Sequence, residues 1–111
     1  MQIAEHQQGA VTVLAPKGPL CASDADQFRS LAQQVIDRSL GRLVLDASAI
    51  PYLDSRGLEV LLDVTEKLGE SGRALKLCAT CETVREVMEL TDLADHFEYY
   101  QDVNTAVRSF I

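Results

Sequence analysis

Tryptophan is missing from this sequence, aromatic residues make up 5% of it, and only three prolines and two histidines occur. With 47% hydrophobic residues and so few rings, the core has to be aliphatic, which favours an α/β domain over an all-β sandwich. Basic residues are also scarce: ten Lys and Arg stand against 17 Asp and Glu, for a net charge of −7. Nucleic-acid binding needs a basic stripe, and docking to anionic lipid needs a basic cluster, so neither partner is expected. No apolar run approaches the ~20 residues that span a bilayer. The opening "MQIAEHQQGA" has no basic and apolar regions of the signal-peptide kind. Three cysteines, an odd number, do not make a disulfide framework and fit a reducing compartment. A cytoplasmic protein follows as the expectation.

Catalytic signatures are equally thin. Neither G-x-G-x-x-G nor G-x-x-x-x-G-K-[ST] occurs, which removes the dinucleotide fingerprint and the P-loop. Ser55 is not in G-x-S-x-G, and the two imidazoles, His6 and His96, fall on or beside outlying strands, so a Ser-His-Asp triad is not expected. Asp46 ends an apolar strand as phosphoaccepting aspartates do, but the loop "PKGPLC" lacks the acids that would hold a divalent cation beside it. Cys78 and Cys81 form a lone C-x-x-C. A zinc site needs a second ligand pair, and a thioredoxin-like motif needs its first cysteine at a helix start, whereas Cys78 lies within a strand. No metal, no cofactor and no enzymatic activity are expected.

What is present is regular. Ile3–His6 and Val11–Ala15 read as a hairpin turning through Gly9, after which Pro16, Gly18 and Pro19 break the pattern. From Ser23, placed to cap, a helix carries Phe28, Leu31, Ala32 and Val35 on one face until Gly41. Arg42–Ser48 is an apolar strand covered on both faces. A second helix runs from about Ser55 to Leu68, with Leu58, Leu61, Leu62, Thr65 and Leu68 inward and Glu59, Asp63, Glu66 and Lys67 outward. A strand over Ala74–Ala79 precedes a third helix from about Glu82, with Val84, Val87, Met88 and Thr91 on one stripe. "HFEYY" is a last strand, and a fourth helix capped by Asp102 carries Val103, Ala106, Val107 and Phe110.

The order β-β-α-β-α-β-α-β-α predicts a single α/β domain over residues 1–111: a mixed sheet of about five strands opened by an antiparallel hairpin, with about four helices. Sites in such sheets gather beyond the carboxyl ends of the strands, where loops around Cys21, Ser55 and Cys81 meet. Ser55 begins a helix there. Asp54 alone can cap that helix, so Ser55 is redundant as a cap, and Gly57 in the first turn costs about 1 kcal/mol against alanine. The missing side chain is read as room for a partner to approach the Ser55 hydroxyl.

These residues carry a resemblance. "LVLDASAIPYLDSRGLEVLL" is similar to the signature of STAS domains, specifically of bacterial anti-sigma factor antagonists, through Asp46, Tyr52, Leu53, Asp54, Ser55, Gly57 and Leu58. The similarity runs through "GPL" before the first helix and "ALKLCATCETVREVMELTDLADHFEYY" after the second, covering essentially the whole chain. It implies a STAS fold and a binding switch. Ser55 is implied as the phosphorylation site of an anti-sigma factor that is also a serine kinase, reversed by a PP2C-type phosphatase. The unphosphorylated form is implied to bind the anti-sigma factor and free a sigma factor. Tyr52, Asp54, Arg56, Gly57 and Glu59, with Gly18, Leu20, Cys21 and Ser23 of the preceding loop, are the expected contact residues. Two positions depart from the family pattern: Cys21 stands where an acid is frequent, and Arg56 where a small residue is. The alternatives are a STAS subunit docked on an ABC-type transport ATPase without phosphorylation, and a scaffold module of a sensory assembly.

Overall fold

In the computed structural model, which describes residues Met1–Ile111, the chain enters through a hairpin of β1 (Gln2–Gln8) and β2 (Val11–Lys17). Gln8 pairs with Val11 across Gly9 and Ala10, and Gly9 supplies the positive φ (+63°) that this tight connection requires. Pro16 does not break β2 as the sequence predicts. Pairing with the next strand ends at Leu14, so the proline's missing N–H is not needed on that side, and it stays opposite Ile3.

Three crossovers then build α1 (Ala22–Ser39), β3 (Leu43–Asp46), α2 (Ser55–Gly69), β4 (Leu75–Cys78), α3 (Glu82–Leu90) and β5 (Phe97–Tyr100). A short 3₁₀ turn (Ala94–His96) precedes β5, and α4 (Val103–Arg108) ends the chain. The five strands lie in the order β1-β2-β3-β4-β5, antiparallel at the hairpin and parallel thereafter. Right-handed crossovers that always step the same way along a sheet place their helices on one face. Leu14, Leu43, Leu45, Leu75 and Leu77 accordingly pack with Phe28 of α1, Leu61 of α2 and Met88 of α3 in one cluster. Burying Phe28 alone stabilises by about 2–3 kcal/mol. Val11, Val13, Val44 and Cys78 form the opposite face with Ala106 of α4. β3 is therefore covered on both sides, as its unbroken apolar run predicts. No helix is long and apolar enough to cross a membrane.

Further expectations need correction. Thr91, expected on the apolar stripe of α3, is an exposed residue just beyond that helix. Ser23 does not cap α1: the N-cap position is Cys21, whose side chain caps nothing, and Ser23 sits exposed inside the first turn. The buried face of α2 is Gly57, Val60, Leu61, Val64, Thr65 and Leu68, so Leu58 and Leu62 are flanking, half-buried positions. Phe110 lies beyond the last helical residue, half-buried, with Lys76 Nζ 4.7 Å from its ring centroid.

Lys76 is the buried charge of the sheet. Its ammonium donates to Glu98 Oε1 (2.8 Å) and to the Tyr100 hydroxyl (3.2 Å), and that hydroxyl donates to the same carboxylate oxygen (2.7 Å). These bonds, Lys76 first and Tyr100 second, hold Glu98 below the usual carboxylate range. A lowered folded value means stability that is present above the unfolded value, near 4.5, and lost as pH falls through the folded one. Glu98→Gln should therefore lower the urea midpoint at pH 7, with the gap to the parent protein closing between about pH 5 and pH 3. A gap that stays constant over that range would contradict this account of the pair.

Candidate functional site

The β2–α1 and β3–α2 loops leave the carboxyl edge of the sheet side by side and are stitched together by backbone bonds. Gly18 N–H donates to Ala49 O (3.1 Å) and Leu20 N–H to Tyr52 O (3.1 Å), and Leu20 and Leu53 form an isolated parallel bridge. The third loop joins them through Cys81, whose thiol lies 3.5 Å from the carbonyl oxygens of Ile50 and Pro51. The three loops expected to converge do so.

Asp54 is the hinge pin of this edge. Its Oδ1 accepts from Gly57 N–H (2.9 Å), which caps α2, and its Oδ2 accepts from Ala22 N–H (3.1 Å) at the start of α1. One carboxylate thus satisfies donors at two helix termini. Ala22 holds φ +50°, a left-handed conformation unusual for alanine, at the point where Asp54 grips it.

Gly57 has a reason different from the one its sequence context offers. A Cβ there would lie 2.1 Å from the Leu20 carbonyl oxygen and 3.0 Å from Leu53 Cβ. The absent side chain makes room for the chain's own β2–α1 loop, and Gly57 is buried. Leu20 is fully buried as well. Both residues shape the surface from beneath.

Ser55 is left free by this arrangement. It is exposed, it is not the cap, and its hydroxyl makes no hydrogen bond within the protein. The backbone N–H groups of Ser55 and Arg56, at the amino end of α2, also have no partner in the fold. Around it stand the exposed carboxylates of Asp54 and Glu59, and the exposed ring of Tyr52 (53% exposed). Gly18 and Cys21 of the neighbouring loop, both half-buried, and the exposed Ser23 in the first turn of α1 complete the surroundings.

Arg56, unlike Ser55, is committed. Its guanidinium donates through Nε to Asp26 Oδ1 of α1 (2.9 Å), through Nη2 to the same oxygen, and through Nη1 to Glu59 Oε2 (3.2 Å). Asp26 is the chief cause of its raised pKa. With Arg29–Asp63 (3.3 Å), it makes two ion pairs that cross from α1 to α2. Arg56 was singled out in sequence as a group facing a partner, but the Asp26 pairing, thirty positions away, has no local signal.

The cysteines differ in their surroundings. Cys78 is buried in β4, and burial, reinforced by the Asp46 carboxylate, pushes its thiol up to about 12, so it stays neutral at ordinary pH. Cys81 is half-buried at the N-cap of α3. All three cysteines are free thiols. Asp46 Oδ1 accepts from Ser48 N–H (3.0 Å), a local turn at the end of β3.

A model of the STAS domain family matches residues 2–106. No curated protein matches the chain in sequence. Among solved structures, an anti-sigma factor antagonist from Mycobacterium paratuberculosis superposes with a TM-score of 0.82 at 25% identity, covering 97% of this chain and 92% of that one. The anti-sigma factor antagonist SpoIIAA in its unphosphorylated form gives 0.78 at 17%, covering 98% and 96%. The Bacillus cell fate determinant SpoIIAA in its phosphorylated form gives 0.73 at 15%, covering 97% and 99%. The fold also occurs within the murine anion transporter Slc26a9, with 0.68 at 17% identity, covering 95% of this chain and 18% of that one.

If Asp54 holds the edge and Ser55 does not, their alanine variants separate. Asp54→Ala should lose about 1–2 kcal/mol in urea unfolding, the value of a lost cap plus the freed Ala22 donor, and Ser55→Ala should stay within about 0.5 kcal/mol of the parent. Gly57→Ala, which drives a methyl into the Leu20 carbonyl, should be worse than either, by about 3 kcal/mol or more. Equal losses for Asp54→Ala and Ser55→Ala would contradict this division of roles.

Proposed function

This chain belongs to the STAS domain family, and we propose that it is an anti-sigma factor antagonist: a protein-binding switch, not an enzyme, set by phosphorylation of Ser55. The observation that carries the proposal is the freedom of that hydroxyl. It projects at the active edge of the sheet with no structural duty, because Asp54 performs the capping that a helix-initiating serine otherwise performs.

The energetics are consistent with a switch that spares the fold. A phosphate adds about −1.5 to −2 charges, and at the amino end of α2 it meets the positive end of the helix dipole and the unpartnered N–H groups of Ser55 and Arg56. Within an interface the same group acts oppositely. A dianion beside Asp54, desolvated against a partner without a matching cation, costs several kcal/mol, and each ~1.4 kcal/mol is tenfold in affinity. Arg56 does not offset this without giving up Asp26 and Glu59. Phosphorylation therefore ejects the partner by local repulsion.

In this reading the unphosphorylated protein presents Tyr52, Asp54, Ser55, Arg56 and Glu59, with the Gly18–Ser23 loop alongside, to an anti-sigma factor that is itself a serine kinase. Gly57 and Leu20 support that surface from below. Binding releases a sigma factor, the kinase closes the cycle by phosphorylating Ser55, and a PP2C-type phosphatase reopens it. Cys21, in place of the acid frequent in the family, removes one negative charge from the loop the kinase would engage. A second reading, that the chain docks without phosphorylation on a transport complex of the ABC type, is supported only in that the fold also occurs within an anion transporter.

The test is a titration of the anti-sigma factor into the parent protein and into Ser55→Asp by calorimetry. Affinity should fall about 100-fold or more, while the melting temperature moves by no more than about 3 °C. Unchanged affinity, or a variant that unfolds, would contradict a surface switch at Ser55. A transport ATPase as the bound partner would favour the second reading.

A further inference from the structure

Arg56 is an arginine in the first turn of a helix, where the positive end of the dipole favours anions, and that turn of α2 holds no acid. What offsets its position comes from outside that turn. Nε and Nη2 both donate to Oδ1 of Asp26 on α1, and Nη1 donates to Glu59 Oε2 (3.2 Å) and Oε1 (3.5 Å) further along α2. All three guanidinium nitrogens are engaged. The next rung of the same seam is Arg29 of α1 with Asp63 of α2 (3.3 Å). Three carboxylates therefore share two arginines between these helices, and neither guanidinium is spare.

An arginine next to a phosphoserine is its nearest cation in sequence and can neutralise it through charge-assisted hydrogen bonds. Here two things oppose that. Side chains at consecutive helical positions do not face each other, and Arg56 turns half-buried toward α1 while Ser55 stands exposed. To reach a phosphate, Arg56 would also have to leave two carboxylates, abandoning Asp26 and Glu59 unpaired beside a new dianion. Attachment of one helix to the other is a weak reason for the clamp, because ion pairs this exposed contribute little stability.

We propose, on the reading of Ser55 as the phosphorylated residue, that Asp26 is a positioning residue of the switch. By holding Arg56 against α1, it keeps the guanidinium from a phosphate on Ser55, so the modified surface meets its partner with its charge undiminished. Asp26 touches neither Ser55 nor the partner in this role. It acts through Arg56, from a helix thirty residues earlier in the chain.

The test uses the full chain with phosphoserine installed at position 55 during synthesis, so no kinase is needed. A double-mutant cycle of Asp26→Asn and Arg56→Gln is read through the second ionisation of the phosphate by ³¹P NMR. With Asp26 in place, Arg56→Gln should barely move that ionisation from about pH 6. In the Asp26→Asn background the same substitution should raise it by about half a pH unit, because there the freed guanidinium has reached the phosphate. Asp26→Glu, which keeps the carboxylate, should behave as the parent protein. An effect of Arg56→Gln as large with Asp26 present as without it would overturn the proposal. Calorimetry with the anti-sigma factor separates a failure of the clamp from a failure of the switch. Asp26→Asn should narrow the affinity gap between phosphorylated and unmodified forms roughly tenfold. A gap left at full size would overturn the role of Asp26, and no gap in the parent protein would overturn the reading of Ser55 beneath it.

Discussion

The two oxygens of the Asp54 carboxylate hold the carboxyl edge of this domain together. One ends the helix that follows it, through Gly57 N–H, and the other reaches Ala22, at the start of a helix that left the sheet one strand earlier. Its own N–H points back to the Leu20 carbonyl (3.4 Å), the same oxygen whose approach requires glycine at position 57. Strained backbone at Ala22, a helix cap and a close loop contact are thereby over-determined by one side chain and one missing one. What this frees is Ser55. A serine that capped its own helix would lose stability on modification; here the adjacent aspartate is the cap, and in the proposed switch the hydroxyl changes state without disturbing the edge that carries it.

The rest of the architecture packs behind that edge. Three helices on one face of the sheet share a single aliphatic core, and the Arg56–Asp26 and Arg29–Asp63 pairs lock α1 to α2 just behind the site. Exposed ion pairs of this kind contribute little to stability individually. Their effect is to fix which charges face outward: Arg56 is consumed, while Asp54 and Glu59 stay at the surface beside Ser55. In the proposed switch, a phosphate added there intensifies a negative field that is already present, and that local charge expels the partner without any change of shape.

Much of this was legible in the sequence because it rests on short-range chemistry. The order of strands and helices followed from periodicity and turn residues. Asp102 announced the cap of α4, where it accepts from Thr105 N–H at 2.7 Å. Cys78 was readable as buried from its place in an apolar strand. The misreadings share one cause, partners distant along the chain. Ser23 looked like a cap from its residue type, because nothing local reveals that the donor at Ala22 is satisfied from Asp54, 32 residues away. Gly57 looked like access for a partner because nothing local reveals the Leu20 carbonyl. Val60 and Val64 were not named among the inward residues, because the face of α2 is set by α1 and the sheet together. Lys76, in a central strand, becomes intelligible only with Glu98 and Tyr100 beside it.

The measurement that tests the account most directly is intact-mass spectrometry of the protein purified from its native cell, with localisation of any added phosphate. The account predicts a fraction carrying a single phosphate, on Ser55, whose melting temperature matches that of the unmodified fraction within a few degrees. A protein that carries no phosphate under any growth condition, or carries it at another residue, would contradict the claim that Asp54 maintains the fold so that Ser55 can switch.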